Sequence, residues 1–433
     1  MTRVGPFPLD GTPLARAAGG LDRCVHCGFC LPTCPTYIAL EDENDSPRGR
    51  LLLMSAILEG ELPLTDPAIT THLDRCLGCR GCETACPSGV PYGHLLEATR
   101  ETLAAQRRLP LPARLLLAVF ARPRLLAIAL AAARWFRATR LPRLLAGLPG
   151  RIGFASAMLA SSSSGSRPDR CTPVAEPARE EKATRVGVLL GCVMEGLFAP
   201  TNRATERTLS TNGYRVVDVP GARCCGALHL HAGDAATARA LARTNIAAFE
   251  RARVDAIAVN ASGCGAAMKE YGLLLDEDPE WRDRAHSIAS KVRDVTELLA
   301  AVGPRRGSPL VATVAYDPPC HLYHAQRVTE APLKVLQAIP GLTIVPLVDA
   351  ELCCGSAGIY NLVQLRISLD VLAPKLDQVA RSGTEIVATG NPGCLMQIGA
   401  GLLQRRASCR VAHPVDLLDE SYAASASSEA ASH

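Results

Sequence analysis

Eight cysteines in the first hundred residues, arranged in two identical runs, constrain this chain more than any other feature. The segments CVHCGFCLPTCP (24–35) and CLGCRGCETACP (76–87) both read C-x2-C-x2-C-x3-C-P. Three thiolates on one tight loop, with glycines that let the backbone fold closely around the sulfurs, suit three corners of a cubane [4Fe–4S] cluster. Structural zinc sites usually pair two C-x2-C units across a long gap, so the pattern favours two iron–sulfur clusters over zinc.

The fourth cysteine of each run is expected to serve the opposite cluster, because it crosses over in two-cluster ferredoxins. On this rule one cluster is held by Cys24, Cys27, Cys30 and Cys86, and the other by Cys76, Cys79, Cys82 and Cys34. The apolar run 51–60 between the two loops predicts a helix. The two loops are therefore further apart in sequence than in a minimal ferredoxin.

A second set of eight cysteines marks a duplication in the C-terminal half. The copies contain Cys192, Cys224, Cys225 and Cys264, and then Cys320, Cys353, Cys354 and Cys394. Corresponding cysteines lie 128 to 130 residues apart, and each follows a run typical of a strand. Strands alternating with helices predict a parallel sheet in each copy, and ligands bind such sheets at the carboxyl ends of the strands. The four thiols of each copy are therefore expected to converge.

The sequence leaves open what these thiols hold. Adjacent cysteines do not easily bind one iron, but they can reach two irons of one cluster, which favours a further cluster over zinc. The alternatives are a degenerate, purely structural copy and redox-active thiols without metal. His321 and His324 follow Cys320 in the second copy and have no counterpart after Cys192 in the first, so we expect them to have a surface or substrate-side role. Cys409 lies outside the pattern.

The segment between the two cysteine-rich parts is basic and apolar. Residues 102–168 contain eleven arginines and no Asp or Glu. The apolar runs 115–121 and 125–133 are shorter than the roughly 20 residues of a transmembrane helix. The segment is either an amphipathic surface for an anionic membrane or a partner subunit, or a set of helices packing over the cluster domain. The Ser- and Pro-rich stretch 160–183 predicts a flexible linker with Cys171 as a free thiol.

These features predict a fold that is α+β and α/β, with a helical, ferredoxin-like two-cluster domain followed by two duplicated α/β domains. The expected parts are 1–100 (two clusters), 101–183 (basic helices and linker), 184–300 and 301–420 (the two cysteine-rich copies) and 421–433 (a disordered tail). No secretory signal is evident, and 18 cysteines then indicate a reducing compartment. We expect a cytoplasmic protein, with a peripheral position on the inner membrane as a further option. The mild net charge of +4 says little about partners by itself, and we expect no nucleic-acid partner.

The order of these segments resembles one known family. The stretches CVHCGFCLPTCPTY, DSPRGR, HLDRCLGCRGCETACPSGVPY, ASGCGAAMKEYG and LCCGSAGIYNL are similar to the iron–sulfur subunit of bacterial glycolate oxidase, also called glycolate dehydrogenase. The resemblance implies a hetero-oligomer in which FAD-containing partner subunits oxidise glycolate to glyoxylate. This subunit would pass the electrons through two [4Fe–4S] clusters to a quinone or another acceptor. No flavin or nucleotide motif is present, and no catalytic residue is expected in this chain.

Related families leave other electron donors open. Iron–sulfur subunits for lactate utilisation, anaerobic glycerol 3-phosphate oxidation and heterodisulfide reduction share the plan. In the heterodisulfide reductases, the CCG motif ends in C-x-x-C and carries a non-cubane cluster. Ala267 and Gln397 stand where that last cysteine would be, which argues against disulfide-reductase chemistry. A non-enzymatic electron carrier or an assembly scaffold is the alternative of a different class.

Overall fold

The computed structural model describes residues 9–107, 109–162 and 183–431, with side chains described as far as residue 425. Most of the predicted linker, including Cys171, lies outside the described residues.

The N-terminal part consists of short helices around two cysteine loops. Its helices are α1 (Pro13–Ala17), α2 (Pro35–Leu40), α3 (Pro47–Leu58), α4 (Pro67–Asp74), α5 (Gly81–Ala85) and α6 (Tyr92–Ala104), with 3-10 turns at Ala18–Gly20 and Glu43–Asp45. Proline occupies the first turn of α1 to α4, where its missing N–H costs no hydrogen bond. Buried Leu14, Met54, Ile69 and Leu95 form the apolar core that supports the loops.

Four helices follow in the basic segment: α7 (Leu111–Ala121), α8 (Pro123–Ala138), α9 (Leu141–Leu145) and α10 (Gly150–Ser161). Within the described residues no single helix is long and apolar enough to cross a membrane. Helices α7 and α8 meet the length and composition requirements only as a pair, and they are bent by 107° at their break.

The first cysteine-rich repeat is a four-stranded parallel sheet with helices between its strands. Its strands are β1 (Arg185–Val188), β2 (Arg215–Val217), β3 (Ala256–Val259) and β4 (Val292–Asp294). Its helices are α11 (Val193–Leu197), α12 (Ala199–Thr211), α13 (Ala227–His231), α14 (Ala235–Ala252), α15 (Ser262–Lys269), α16 (Tyr271–Leu274), α17 (Arg282–Lys291) and α18 (Val295–Val302). The strand order is β2-β1-β3-β4, with Val186 opposite Val216 on one side and Ala256 on the other.

The second repeat has the same topology, with strand order β6-β5-β7-β8 and all pairs parallel. Its strands are β5 (Ala312–Tyr316), β6 (Leu342–Val345), β7 (Ile386–Ala388) and β8 (Arg410–Ala412). Its helical segments are a π-helical turn (His321–Ala325), α19 (Ala331–Gln337), α20 (Tyr360–Val363), α21 (Leu365–Ser382), α22 (Pro392–Gln404) and α23 (Pro414–Ala431). The predicted fold class is confirmed. In each sheet the strand order reverses between the two central strands, because the chain first adds a strand on one side and then adds the remaining strands on the other. This leaves a crevice at the carboxyl ends of the central strands.

One apolar core joins the two repeats. It takes in Val186 of β1, Leu299 of α18, Val314 of β5, Leu336 of α19 and Leu418 of α23, all of which are fully buried. The basic segment also packs on the repeats, since α10 lies against α22 and α8 lies against α11. The beginning of α7 lies beside the cluster domain, because Ala113 lines a cavity with Cys76 and Leu77. The helices therefore pack mainly on the repeats, whereas one of the two alternatives placed them over the cluster domain.

The end of the chain also differs from expectation. A disordered tail was predicted from residue 421, but α23 continues past this point to Ala431. The Ser421 hydroxyl donates to the Ser308 carbonyl at 2.7 Å, and Asn212 Nδ2 donates to the Tyr422 hydroxyl at 3.0 Å. These contacts to other parts of the repeats hold the helix, and a Ser- and Ala-rich composition alone does not reveal them.

Candidate iron–sulfur centres

The two N-terminal cysteine loops enclose two neighbouring cavities. The first is lined by Cys24, Cys27, Cys30, Cys82 and Cys86, and the second by Cys34, Cys76, Cys79 and Cys82. The last cysteine of each run thus lies with the first three of the other run. Because Cys82 lines both cavities, groups held in them would be close neighbours.

Tight backbone turns bring the two loops together. Gly28 has φ +83°, and a Cβ there would lie 2.9 Å from the Leu31 side chain. A Cβ on Gly81 would lie 3.2 Å from the Thr33 carbonyl oxygen of the other loop. The Gly78 N–H points at Cys76 Sγ at 3.4 Å, and the Val90 N–H points at Cys86 Sγ at 3.5 Å. Such N–H groups stabilise sulfur that carries negative charge.

A buried arginine supplies positive charge beside the second cavity. Arg50 is 1% exposed, and its Nη1 lies 3.9 Å from Cys34 Sγ. Its other donors bond to Thr36 Oγ1 at 3.1 Å, Asp45 Oδ1 at 3.2 Å and the His72 carbonyl at 2.7 Å. Every guanidinium nitrogen is thus engaged, which fixes the cation in place.

The electrostatics of the second cavity suit thiolates bound to a metal. Burial raises the pKa of the Cys76 thiol, but the charges of Arg50 and Arg100 outweigh it and lower that pKa overall. Burial and neighbouring thiols raise the pKa values of Cys79 and Cys82. Crowded thiols of this kind ionise together only when a cation such as cluster iron compensates their charge.

In the first repeat the four cysteines converge at the sheet edge. Cys192 Sγ lies 3.5 Å from Cys224 Sγ, and Cys225 contacts Cys264. Asn245 and Tyr271 hold the loop, since Asn245 Nδ2 donates to the Cys224 carbonyl at 3.0 Å and the Tyr271 hydroxyl donates to the Cys225 carbonyl at 2.9 Å. Hydrogen bonds from Cys192 and Cys225 lower the pKa of Cys224.

The second repeat forms the same two pairs. Cys320 Sγ lies 4.0 Å from Cys353 Sγ, and Cys354 Sγ lies 3.4 Å from Cys394 Sγ. Gly355, which follows the cysteine pair, has φ +84° and a backbone N–H 3.4 Å from Cys353 Sγ. A Cβ there would lie 2.5 Å from the Ser368 carbonyl oxygen, so only glycine suits this position.

A buried ion pair distinguishes the second repeat. Lys375 and Asp317 are 7% and 2% exposed and paired, and Lys375 also donates to the Ala350 carbonyl at 2.8 Å. Burial raises the pKa of Asp317 despite this partner. The first repeat has Leu189 and Asn245 at the corresponding positions of β1 and α14, so its interior lacks the pair.

The second repeat also contacts the cluster loop directly. His321 Nε2 donates to the Gly78 carbonyl at 3.0 Å, and the Tyr360 hydroxyl donates to the Arg75 carbonyl at 2.9 Å. Thr84 Oγ1 donates to His324 Nδ1 at 2.9 Å. Both histidines therefore join two domains, which contradicts the surface position expected for them; the substrate-side role stays a prediction.

The first repeat contacts the N-terminal part beside the same loop. Arg80 forms an ion pair with Glu270, and Arg100 Nη1 donates to the His231 carbonyl at 3.1 Å. The loop 76–82 therefore lies at a junction of all three domains. Cys79 and Cys320 pack in one apolar cluster with Leu77 and Cys353, so the second cluster loop and the cysteine site of the second repeat are neighbours.

Matches to known protein families occur in the same order as these domains, with one match in the N-terminal part and one in each repeat. The 4Fe-4S dicluster domain model matches residues 20–90, and the cysteine-rich domain model matches residues 186–269 and 314–399. A probable glycolate oxidase iron-sulfur subunit of Bacillus subtilis (strain 168) is 37% identical over 419 residues, which covers 93% of this chain and 94% of the relative. The chain belongs to the family of glycolate oxidase iron–sulfur subunits.

Other relatives agree with the family assignment. The glycolate oxidase iron-sulfur subunit of Escherichia coli (strain K12) is 37% identical over 391 residues, covering 86% of this chain and 88% of the relative. The lactate utilization protein A of Exiguobacterium sp. (strain ATCC BAA-1283 / AT1b) is 29% identical over 237 residues, covering 54% of this chain and 97% of the relative.

In each repeat the cysteine sulfurs approach one another in two pairs and not as one group of four. Four thiolates around zinc, at about 2.3 Å each, lie about 3.8 Å from one another. Among the described residues, no three cysteine sulfurs lie within 4.8 Å of one another. Asp42, Asp45 and His72 do so, but Asp45 is already paired with arginines.

Ala267 and Gln397, which stand in place of the last cysteine of the C-x-x-C pattern, have structural roles in this chain. Ala267 is buried in the apolar core of the first repeat. Gln397 is fully buried, and its Nε2 donates to Ser368 Oγ at 2.8 Å while its Oε1 accepts from Asn361 Nδ2 at 3.0 Å. Each repeat therefore offers four cysteines.

Sequence reasoning missed the residues that support the cysteines. Arg50, Asp317 and Lys375 lie in no cysteine motif. Arg50 and Tyr360 carried a signal, because the quoted stretch DSPRGR ends at Arg50 and the quoted stretch LCCGSAGIYNL contains Tyr360.

Proposed function

We propose that this chain is the electron-transfer subunit of a glycolate oxidase complex that oxidises glycolate to glyoxylate. The pair of adjoining cavities, each lined by cysteines from both loops, is the observation that carries the proposal. The 37% identity to glycolate oxidase iron-sulfur subunits over most of the chain supports glycolate as the donor. The match to lactate utilization protein A spans only 54% of the chain, which makes lactate the weaker candidate.

The ligand sets follow the two cavities. One [4Fe–4S] cluster would be held by Cys24, Cys27, Cys30 and Cys86, and the other by Cys34, Cys76, Cys79 and Cys82. Bound there, the clusters accept and release single electrons. The chain's own contribution is to hold them side by side, with Arg50 and backbone N–H groups stabilising the thiolates of the second cavity.

Removal of hydride from glycolate belongs to FAD in partner subunits, because this chain has no nucleotide-binding motif. The partner flavin would pass its electrons singly into this subunit, which would deliver them to a quinone or another acceptor. Oxidation would take place in the cytoplasm.

The cysteine-rich repeats would act as a relay or docking surface next to the second cluster. The packing of Cys79 and Cys320 in one apolar cluster supports the second repeat in this role. Cys192, Cys224, Cys225 and Cys264, and Cys320, Cys353, Cys354 and Cys394, are the candidate ligands of further clusters.

Anaerobic purification of the complex with its flavoprotein subunits tests the proposal. About eight irons per chain indicate two cubanes, and about twelve or more indicate further clusters. Cys27→Ser and Cys79→Ser should each remove about four irons and abolish glycolate-dependent reduction of the acceptor. Cys409→Ser is the matched control and should retain both. Full iron and full activity in Cys27→Ser and Cys79→Ser would refute the ligand assignment.

A further inference from the structure

Helices α7 and α8 have an apolar face that none of the described residues covers. It consists of Leu111 and Leu115 on α7 and Leu125, Ile128 and Trp135 on α8, which are 62%, 60%, 43%, 66% and 72% exposed. On each helix the residues recur at intervals of three, four or seven, so they share one side of the helix. No residue of α8 is fully buried. These five residues are called the α7–α8 face below.

The opposite side of α8 is fixed to the protein. Arg134 Nη1 donates to the Gly196 carbonyl at 2.9 Å, and Arg137 Nη1 donates to the Leu197 carbonyl at 3.1 Å. Leu130 packs on Gly196, where a Cβ would lie 2.4 Å from its side chain. Helix α8 is therefore anchored to the first repeat and presents its apolar side outward.

Unpaired cations surround the face. Arg114, Arg122, Arg124, Arg140 and Arg143 are exposed, and their side chains form no ion pair or hydrogen bond with the described residues. Residues 102–168 contain no carboxylate that could neutralise them. Several other surface arginines are paired, for example Arg239 with Glu101. The positive charge of these arginines is therefore available to bind an anion outside the protein.

We propose that the α7–α8 face docks this subunit on an anionic phospholipid surface, with both helices lying in the plane of the interface. Aliphatic side chains beside one exposed tryptophan and several arginines match the chemistry of acyl chains, the interfacial layer and lipid phosphates. The charges around the face are all positive, because residues 102–168 contain arginines and no carboxylate. This matches the uniformly negative phosphates of a lipid surface better than the mixed charges at the rim of a protein interface. The 107° bend at Arg122 leaves the two helices unable to form one straight span.

This docking goes beyond electron transfer from glycolate and does not depend on it. The experiment is flotation of the full, cluster-loaded chain with phosphatidylcholine vesicles, with and without an equal part of phosphatidylglycerol. The wild type should float with the anionic vesicles at low salt, and float far less with neutral vesicles or at high salt.

Two variants test the two components of the face. Ile128→Glu/Trp135→Glu should weaken binding by about tenfold or more, since both side chains are exposed and the fold does not need them. The matched control is Val311→Glu, at a residue that is 86% exposed on the second repeat, and it should float like the wild type. Arg122→Gln/Arg124→Gln should reduce the preference for anionic lipid, whereas exposed Arg381→Gln should not.

Cluster absorption and circular dichroism check that each variant is folded. A wild type that stays with the unbound fraction at low salt would overturn the proposal, as would a double glutamate variant that floats normally. Loss of the flavoprotein subunits from Ile128→Glu/Trp135→Glu, with flotation unchanged, would instead assign the face to a protein partner and overturn lipid docking.

Discussion

His321 of the second repeat donates a hydrogen bond from Nε2 to the backbone carbonyl of Gly78, 3.0 Å away, in the middle of the second cluster loop. The bond joins the residue after Cys320 to the residue before Cys79. It therefore ties the loop that lines the second cavity to the cysteine site of the second repeat.

His321→Ala should loosen this junction. A partly buried carbonyl that loses its donor costs up to about 1–3 kcal/mol, and the loop 76–82 should exchange its amide hydrogens faster. Hydrogen exchange read by mass spectrometry measures the effect. His94→Ala, at an exposed position on α6, is the control and should leave exchange unchanged. Identical protection of the loop in both variants would show that the bond does not hold the junction.

Arg50→Gln should destabilise the protein and empty the second cavity. The change removes the cation next to Cys34 and leaves Asp45 with weaker partners, at a cost of about 3–5 kcal/mol for breaking a buried pair. Urea unfolding and an iron count measure both effects. Arg48→Gln breaks a more exposed pair with Glu43 and should cost about 1 kcal/mol or less. An Arg50→Gln variant with wild-type iron and stability would contradict the role given to Arg50.

The glycine after the cysteine pair should tolerate no side chain. Gly355→Ala would force a Cβ against the Ser368 carbonyl and hold alanine at φ +84°, which should cost about 3 kcal/mol or more. Gly383 also has a positive φ, +63°, but nothing lies within 4 Å of its Cβ position. Gly383→Ala should therefore cost only about 1 kcal/mol. Equal melting temperatures for the two variants would mean that the loop can shift away from Ser368.

The internal duplication offers its own control for the buried ion pair. Lys375→Met leaves Asp317 charged and unpaired in the interior, which should cost about 3–5 kcal/mol. Asp317→Leu/Lys375→Asn installs the residues of the first repeat and should recover most of that loss. Urea unfolding of the single and double variants measures the two losses in the free energy of unfolding. A double variant less stable than Lys375→Met would mean that the second repeat needs the charges themselves.

The convergence of the repeat cysteines was predictable because it follows from topology. Parallel strands bring their carboxyl ends to one edge, and the duplicated spacing placed a cysteine after each of three strands. The edge strands β4 and β8 were not predicted. Each has only three residues, VRD and RVA, without an apolar run that would mark a strand.

Sequence patterns did not predict the contacts between domains. His321 and His324 looked like unmatched residues of one repeat, since their partners Gly78 and Thr84 lie more than 200 positions earlier. The pairing of Asp317 with Lys375 was hidden for a similar reason, because 58 residues separate them and neither repeats in the first copy. The spacing of the cysteines predicts where the metal ligands converge. The residues that position these cysteines are brought to them by the packing of distant segments, which the spacing does not predict.

The central claim is that electrons from glycolate pass through clusters held by the two N-terminal loops. The most direct measurement is electron paramagnetic resonance of the anaerobic complex, with its flavoprotein subunits, frozen after glycolate is added in the absence of acceptor. The account predicts reduced [4Fe–4S] signals in the wild type and in Cys409→Ser, and the loss of one signal in Cys27→Ser and of the other in Cys79→Ser. Clusters that stay oxidised while glycolate still drives reduction of the acceptor would contradict it.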